Sequence, residues 1–234
     1  MNKFNTIEIS SLSEFVKQLE TRISDKKRIF LFRGQNIDKS LIPNIARHLF
    51  KSSREQDEKK MLNEFNIHST QYLDYQPKNI IEKMTIAQHY GIPTRLLDWT
   101  ENALAALYFA VFKETENNNN AVVWVISFEN SELLINDYNI DIFNEKELKF
   151  FKPNSIIQRV SSQHGWFSVH PFKGQGFYER ADIITEKYRL NKISIKKGCS
   201  KNILQTLESC GINKHTIFRD LDSLGSFIFE KYKK

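Results

Sequence analysis

The segment 121–128, AVVWVISF, restricts the fold of this chain more than any other, because seven of its eight residues are apolar. A strand that is apolar along its length is typical of the middle of a sheet, where both faces are covered. Four asparagines at 117–120 precede it and indicate a surface loop. We therefore predict a sheet whose central strand is residues 121–128.

Helix and strand patterns are intermixed along the rest of the chain. Apolar residues recur at helical spacing over residues 12–23, where Ser10 or Ser11 is placed to cap the helix. Further helices are predicted at 54–73, 79–90, 103–112, 200–209 and 215–232, and further strands at 29–32, 95–99, 155–160, 166–170 and 188–196, with a polar, helical region before residue 155. This mixture predicts an α/β (or α+β) fold in one domain over residues 1–234.

The composition of the chain favours an anionic partner. A net charge of +6 and a pI near 9.1 favour nucleic acid, phosphates or a dinucleotide. A proteome rich in Lys and Asn would give the same charge without such a partner.

The cysteine content and the hydropathy of the chain bear on its cellular compartment and on whether it holds a disulfide or a metal. Cys199 and Cys210 suggest neither a disulfide framework nor a zinc site. No apolar run reaches 18 residues and the first residues lack a signal-peptide core, so we expect a cytoplasmic protein with no membrane segment. His164 and His170 have no carboxylate at ligand spacing, so no metal is expected.

Arg33 is the first candidate site residue. It follows the apolar run 29–32 and precedes Gly34 and Gln35. An arginine at the end of a buried strand, beside a residue without a Cβ, can clamp an anionic ligand that approaches the backbone. The alternative is an arginine that pairs with a carboxylate inside the fold, and Asp98 is the obvious candidate.

The segment 87–102, AQHYGIPTRLLDWTEN, is the second candidate. Gly91 and Pro93 predict a tight turn, which holds His89, Tyr90 and the residues that follow on one short corner. Tyr90 and Trp99 are candidates for stacking on a base or a nicotinamide ring. The alternative is a buried polar network that ties a helix to a strand.

These residues resemble those of the FRG domain family. Phe32-Arg33-Gly34 is similar to the Phe-Arg-Gly motif that names the family, and 87–100 is similar to its longer central block. Further matches are Asn102, Ala106-Leu107, Phe109-Ala110, Gln163, Gly165, Phe167, Leu207, Gly211-Ile212, Thr216, Phe218 and Asp220-Leu221-Asp222. Ala103 departs from the family, which usually has Pro at that position.

The resemblance implies a bacterial or phage-related cytosolic protein. A further resemblance is to the ADP-ribosyltransferase superfamily, which implies a central mixed sheet, split or continuous, flanked by helices. Arg33 is similar to the Arg or His that ends its first core strand, and 98–112 resembles its second element. Gln163 lies near the third element, where members carry Glu or a substitute. Glutamine cannot act as a base, so Glu101, His89 or His164 would have to do so.

Three functions are therefore weighed. The first is an NAD-dependent ADP-ribosyltransferase, a toxin or phage-defence effector that modifies nucleic acid or protein and can have an antitoxin partner. The second is a non-catalytic nucleotide or nucleic-acid binding module, and the third is a nuclease-like hydrolase that uses His89, Asp98 and Glu101. For the first, the residues expected to act on NAD are Arg33, Gln163, Glu101 and His89, and those expected to bind it are Arg33, Gly34, Gln35, Tyr90, Thr94, Arg95, Asp98, Trp99, Thr100 and Asn102. All three need Arg33 and the segment 89–102 to line one open pocket.

Overall fold

A seven-stranded mixed β-sheet forms the centre of the computed structural model, which describes residues 5–23, 25, 27–50, 53–113, 121–129, 133–135, 140–153, 165–175, 177–183 and 186–233. Its strands are β1 (Asn5–Ile9), β2 (Arg28–Gln35), β3 (Leu96–Thr100), β4 (Val122–Glu129), β5 (Lys149–Phe151), β6 (Gly165–Val169) and β9 (Arg189–Ile195). They lie in the order β1-β9-β4-β2-β3-β6-β5. A separate two-stranded sheet consists of β7 (Phe172–Gly174) and β8 (Phe177–Tyr178).

The predicted central strand is confirmed. β4 pairs antiparallel with β2 on one side and with β9 on the other. Its side chains alternate between two hydrophobic clusters: Val123 and Val125 belong to one, and Val122, Trp124 and Ile126 belong to the other. Both faces of this strand are therefore covered, as its nearly continuous apolar sequence requires. β1 and β9 are parallel, and the remaining neighbours in the sheet are antiparallel.

The helices are α1 (Leu12–Arg22), α2 (Arg54–Ser69), α3 (Ile80–His89), α4 (Ala103–Val111), α5 (Ser200–Ser209), α6 (Lys214–Phe218) and α7 (Leu221–Tyr232), with a short 3-10 helix at Asn44–Arg47. Ser11 caps α1, since its side chain accepts a hydrogen bond from the Glu14 amide. α4 packs against β2 and α5, while Leu62, Ile81 and Met84 of α2 and α3 pack against residues of β3, β5 and β6. The α/β class predicted from the sequence is confirmed.

The single helix predicted at 215–232 is wrong, because α6 and α7 are separate. Arg219 between them has a left-handed backbone with φ of 51°. Asp220 then caps α7, accepting from the Ser223 amide, while the Ser223 hydroxyl accepts from the Asp220 amide. This capping box starts a new helix where the apolar spacing alone predicted a continuous one.

Other predictions differ from the structure at the edges of the sheet. β1 was not predicted, and the described residues 140–153 form turns and β5 rather than the predicted helical region. The predicted strand 155–160 lies outside the described residues, as do Gln163 and His164. Within the described part of the chain, no helix is both long enough and apolar enough to cross a membrane.

Candidate functional site

β2 and β3 pair at one register position only, Phe32 opposite Thr100. Beyond this pair, the side chain of Arg33 joins the two strands. Its Nη1 donates a hydrogen bond to the main-chain oxygen of Asp98 at 2.7 Å and lies 3.6 Å from Asp98 Oδ2. The two strands share no further register position, and the Arg33 side chain provides this additional connection between them.

Gly34 serves the packing of α4. A Cβ at this position would lie 1.8 Å from the main-chain oxygen of Ala106 and 2.8 Å from the Ala110 nitrogen. No side chain can be accommodated at that distance, so the helix backbone lies directly against the strand. The expectation that Gly34 leaves room for a ligand is therefore corrected: the backbone of α4 fills that space.

The Asp98 carboxylate has two side-chain partners, Arg33 and Gln88. Gln88 Nε2 donates to Asp98 Oδ1 at 3.0 Å, and the buried Thr94 hydroxyl donates to Gln88 Oε1. Thr94 Oγ1 also accepts from the Leu96 amide. The Asp98 side chain is nevertheless 63% exposed. The polar residues at the end of α3 therefore orient a carboxylate that still faces solvent.

Arg95 does not belong to the site, and its predicted role in binding is wrong in position. The side chain is fully buried, and its Nε and Nη2 donate to Glu58 Oε2 at 3.0 and 2.9 Å. Its main-chain amide donates to the other oxygen of Glu58, and its guanidinium lies 4.4 Å from the ring centroid of Phe143. Burial raises the pKa of Glu58, which the Arg95 charge opposes. The pair ties α2 to β3.

Trp99 is also largely buried, and the polar edge of its indole is committed to the fold although the residue lines a cavity. Its Nε1 donates to Ser168 Oγ at 2.9 Å, and Ser168 Oγ lies 2.8 Å from His170 Nε2. His170 Nδ1 lies 2.6 Å from the Glu179 carbonyl, which can only accept, so Nδ1 carries the proton and Nε2 accepts from Ser168. Burial lowers the pKa of His170 to about 4, and the nearby Arg33 charge adds to the effect.

Tyr90 lies elsewhere. It is 64% exposed and forms, with Phe65, His68 and Tyr72, part of a groove between α2 and the end of α3. Gly91 supports the predicted turn with a φ of 92°. Tyr90 is not among the described residues that line the cavities at Arg33, so its predicted place beside a nicotinamide ring is wrong.

The residues that follow β3 build the start of α4. Asn102 Oδ1 accepts from the amides of Leu104 and Ala105 at 3.0 and 3.1 Å, and Thr100 Oγ1 accepts from the Asn102 amide. Asn102 is therefore the cap of α4, which begins at Ala103 without the proline. These hydrogen bonds assign the side chain of Asn102 to the fold.

Glu101 is bound by other side chains. Its carboxylate accepts from Trp166 Nε1 at 2.8 Å and pairs with Lys152 Nζ at 3.0 Å. Glu101 is not among the described residues that line either cavity at Arg33. Glu101 therefore does not join Arg33 in the cleft. Gln163, which was also predicted to be catalytic, lies outside the described residues.

Two cavities meet at Arg33 and Asp98. The first, of about 400 Å³, is lined by Arg33, Gly34, Gln35, Asp98, Trp99 and Thr100 together with Lys39, Arg47, Phe109, Phe112 and Lys113. The second, of about 670 Å³, is lined by Arg33, Asp98 and His89 together with Asn44, Arg47, Gln88, Phe218 and Asp220. We call the two together the arginine cleft. Arg33, His89 and 96–100 therefore line open space, but they do so in two cavities, whereas the functional prediction required the whole segment 89–102 to line one pocket.

Arg47 was not predicted, although it lines both cavities. It is the last residue of the 3-10 helix, and its Nη2 donates to the carbonyls of Ser40 at 2.7 Å and Ile42 at 3.3 Å. Burial and the neighbouring Arg47 charge lower the pKa of Arg33, while Asp98 opposes the effect. In the sequence, Arg47 is an ordinary basic residue in a loop, and no local pattern distinguishes it.

The Arg33 Nε atom is buried and has no hydrogen-bond partner among the described residues. A buried donor without a partner is costly, and a ligand acceptor can satisfy it. No group of three or more His, Cys, Asp or Glu residues within the described ranges could hold a metal ion. The arginine cleft thus combines two guanidinium groups with the carboxylate of Asp98.

Comparison with known proteins identifies one family. Residues 28–119 match the FRG domain, a stretch that contains β2, α2, α3, β3 and α4 and therefore Arg33, Arg47 and Asp98. The resemblances assigned to residues beyond 119 lie outside this match. No curated protein and no solved structure matches the chain. Over residues 28–119 the chain is therefore similar to the FRG domain.

Proposed function

We propose that the arginine cleft binds the phosphate groups of a nucleotide. The observation that carries this proposal is the convergence of Arg33 and Arg47, from separate elements, on the same two cavities. Guanidinium groups present several donors in a planar fork that matches phosphate oxygens. The buried Nε of Arg33 supplies a donor for which the described residues offer no acceptor.

The electrostatics favour an anion at this position. Two guanidinium groups close enough to lower the pKa of Arg33 repel each other, and Asp98 neutralises one of the two charges. The remaining positive charge sits in a partly dry cleft, where opposite charges attract more strongly than in water. A bound phosphate therefore relieves both the repulsion and the unsatisfied donor.

NAD is the first nucleotide to test, because the sequence resembles the ADP-ribosyltransferase superfamily at Arg33 and 98–112. The cavities, of about 400 and 670 Å³, fall within the size range of small-molecule sites. Arg33 and Arg47 are the residues that would hold its phosphates. Thr94, Arg95 and Asn102 have other partners and are not among the described residues that line the two cavities, so they support the cleft rather than contact the ligand.

Calorimetric titration of the full chain with NAD tests the binding. Arg33→Ala should weaken binding by about 10- to 100-fold, the value of a charged hydrogen-bonding group. Arg189→Ala is the matched control, because Arg189 is an exposed arginine of β9 that does not line the cleft. Equal affinities of wild type and a folded Arg33→Ala variant would contradict the proposal.

A second candidate function is NAD-dependent ADP-ribosyl transfer to nucleic acid or protein, by a toxin or phage-defence effector. The observation that favours it is Asp98, a carboxylate shared by both cavities and oriented by Gln88 and Arg33. NAD supplies a glycosidic bond whose cleavage releases nicotinamide and leaves ADP-ribose for an acceptor. Asp98 is placed to stabilise positive charge in the cleft, and His89 lines the second cavity as a further proton acceptor.

Nicotinamide release separates the two candidates. The transferase predicts that the full chain releases nicotinamide and transfers label from NAD to RNA, DNA or protein, and that Asp98→Asn lowers this rate while NAD still binds. The non-catalytic binding module predicts saturable binding with steep salt dependence and no product. Release that is unchanged in Asp98→Asn would contradict the role of this carboxylate.

A further inference from the structure

The two cavities of the arginine cleft differ in charge. The first is lined by the cations Arg33, Lys39, Arg47 and Lys113 and by one carboxylate, that of Asp98, so four minus one leaves three positive charges. The second is lined by two cations, Arg33 and Arg47, and by two carboxylates, Asp98 and Asp220, which cancel. Both counts cover the described lining residues.

Contacts of Asp220, Lys113 and Lys39 with neighbouring residues position the charges that distinguish the two cavities. Asp220 is held as the cap of α7, where its carboxylate accepts from the Ser223 amide at 2.6 Å. On the other side, Lys113 follows α4, and its Nζ lies 5.5 Å from the ring centroid of Phe112, which also lines the first cavity. The main-chain amide of Lys39 donates to Gln35 Oε1 at 3.4 Å, which draws its loop towards the end of β2.

We propose that the first cavity holds a phosphate group in addition to those at Arg33 and Arg47, so that the preferred ligand is a nucleotide with three or more phosphate groups. This inference rests on the proposed binding of nucleotide phosphates in the cleft. Lys39 and Lys113 are the residues that set the preference. The balanced second cavity takes an uncharged part of the same ligand, since it offers no excess charge to an anion.

Exposed lysines are often only solvated charge, and both Lys39 and Lys113 are exposed. Lys39 and Lys113 differ from such lysines because they line the same concave cavity, and like charges around a cavity add their electrostatic potentials within it. Lysines spread over a convex surface attract anions without regard to where a phosphate sits. The preference should therefore follow these two positions and not the total charge of the chain.

The experiment is a calorimetric comparison of NAD with NADP, and of AMP, ADP and ATP, on the full chain at fixed ionic strength. We expect NADP to bind about ten-fold more tightly than NAD, and ATP more tightly than ADP by a similar factor. The double variant Lys39→Gln, Lys113→Gln should remove both differences. The double variant Lys197→Gln, Lys201→Gln changes the net charge equally at exposed positions that do not line the cleft, and should keep both.

The outcomes separate this inference from the proposed function. If NAD and NADP bind equally, and ADP and ATP do too, the inference is overturned while nucleotide binding stands. If both double variants reduce the preference alike, total charge explains it and the inference is overturned. If none of the five nucleotides binds the folded chain, the proposed function fails together with the inference.

Discussion

The Nη1 of Arg33 donates a hydrogen bond to the main-chain oxygen of Asp98 across 2.7 Å, at the point where β2 and β3 cease to pair. The three residues of the Phe-Arg-Gly motif thereby have separate physical roles. Phe32 belongs to the core cluster beneath α4, Arg33 joins two strands at the cleft, and Gly34 allows the helix to lie against the sheet. In the motif, two residues that pack against α4 therefore flank an arginine that lines the cleft.

Gly34→Ala should destabilise the chain by about 1–3 kcal/mol or more, because the new Cβ would lie 1.8 Å from the Ala106 oxygen and the helix would have to move. Gly225→Ala is the control. Gly225 lies within α7 with no atom within 4 Å of a built Cβ, so alanine there should stabilise the helix by about 0.5–1 kcal/mol. Urea unfolding measures both. Equal effects of the two substitutions would contradict the close packing of α4.

Glu58→Gln should cost up to about 3–5 kcal/mol, because it removes the buried carboxylate that pairs with the Arg95 guanidinium and leaves only the more exposed Glu55, at 3.5 Å. Lys187→Gln breaks the exposed pair with Glu147, which solvent screens, and should lower the stability far less. The free energy of unfolding of each variant checks the contrast. A small loss for Glu58→Gln would show that Arg95 is not committed to the fold.

Acid should destabilise the chain through His170. Its pKa in the folded state is about 4, below the ordinary value of 6.5, so the unfolded state takes up the proton first as the pH falls. The stability from the neutral ring is therefore complete above pH 6.5 and is lost between pH 6.5 and 4, by about 3 kcal/mol in all. His170→Gln should flatten this part of the stability curve, whereas His68→Gln, at an exposed position, should leave it unchanged. A curve that is identical in wild type and His170→Gln would contradict the assignment.

Tyr90→Ala should leave the affinity for NAD unchanged within a factor of about two, because Tyr90 lines the groove between α2 and α3 rather than the arginine cleft. The same titration that detects the effect of Arg33→Ala checks this expectation. A loss of ten-fold or more would show that the nucleotide extends around the corner at Gly91.

The fold could be predicted where a local pattern decides it. The apolar run of β4 and the helical spacing of α1 identify these elements without tertiary information. Burial of a strand on both faces leaves a continuous apolar run, and burial of a helix along one stripe leaves a helical period. The break at Arg219 could not be found in this way. The decision lies in the hydrogen bonds between Asp220 and Ser223, which compete with a helix that the apolar residues alone would continue.

The sequence predicted Arg33 as a residue of the site, but it did not predict Arg47. Arg33 and Arg95 both adjoin apolar strands in the sequence. Glu58, 37 positions before Arg95, pairs with the Arg95 guanidinium, whereas Arg33 contacts Asp98 and lines the cleft. Arg47 reaches the same cleft from a 3-10 helix, and only the three-dimensional fold brings it there. Which arginine remains available depends on distant partners, and one sequence does not display them.

The most direct measurement is an NMR titration that follows the side-chain Nε–H signals of the arginines as NAD is added. If the arginine cleft binds nucleotide phosphates, the signals of Arg33 and Arg47 should shift in a saturable way, while those of Arg95 and Arg189 stay in place. Unchanged signals at Arg33 and Arg47, or equal shifts at all four arginines, would contradict the account.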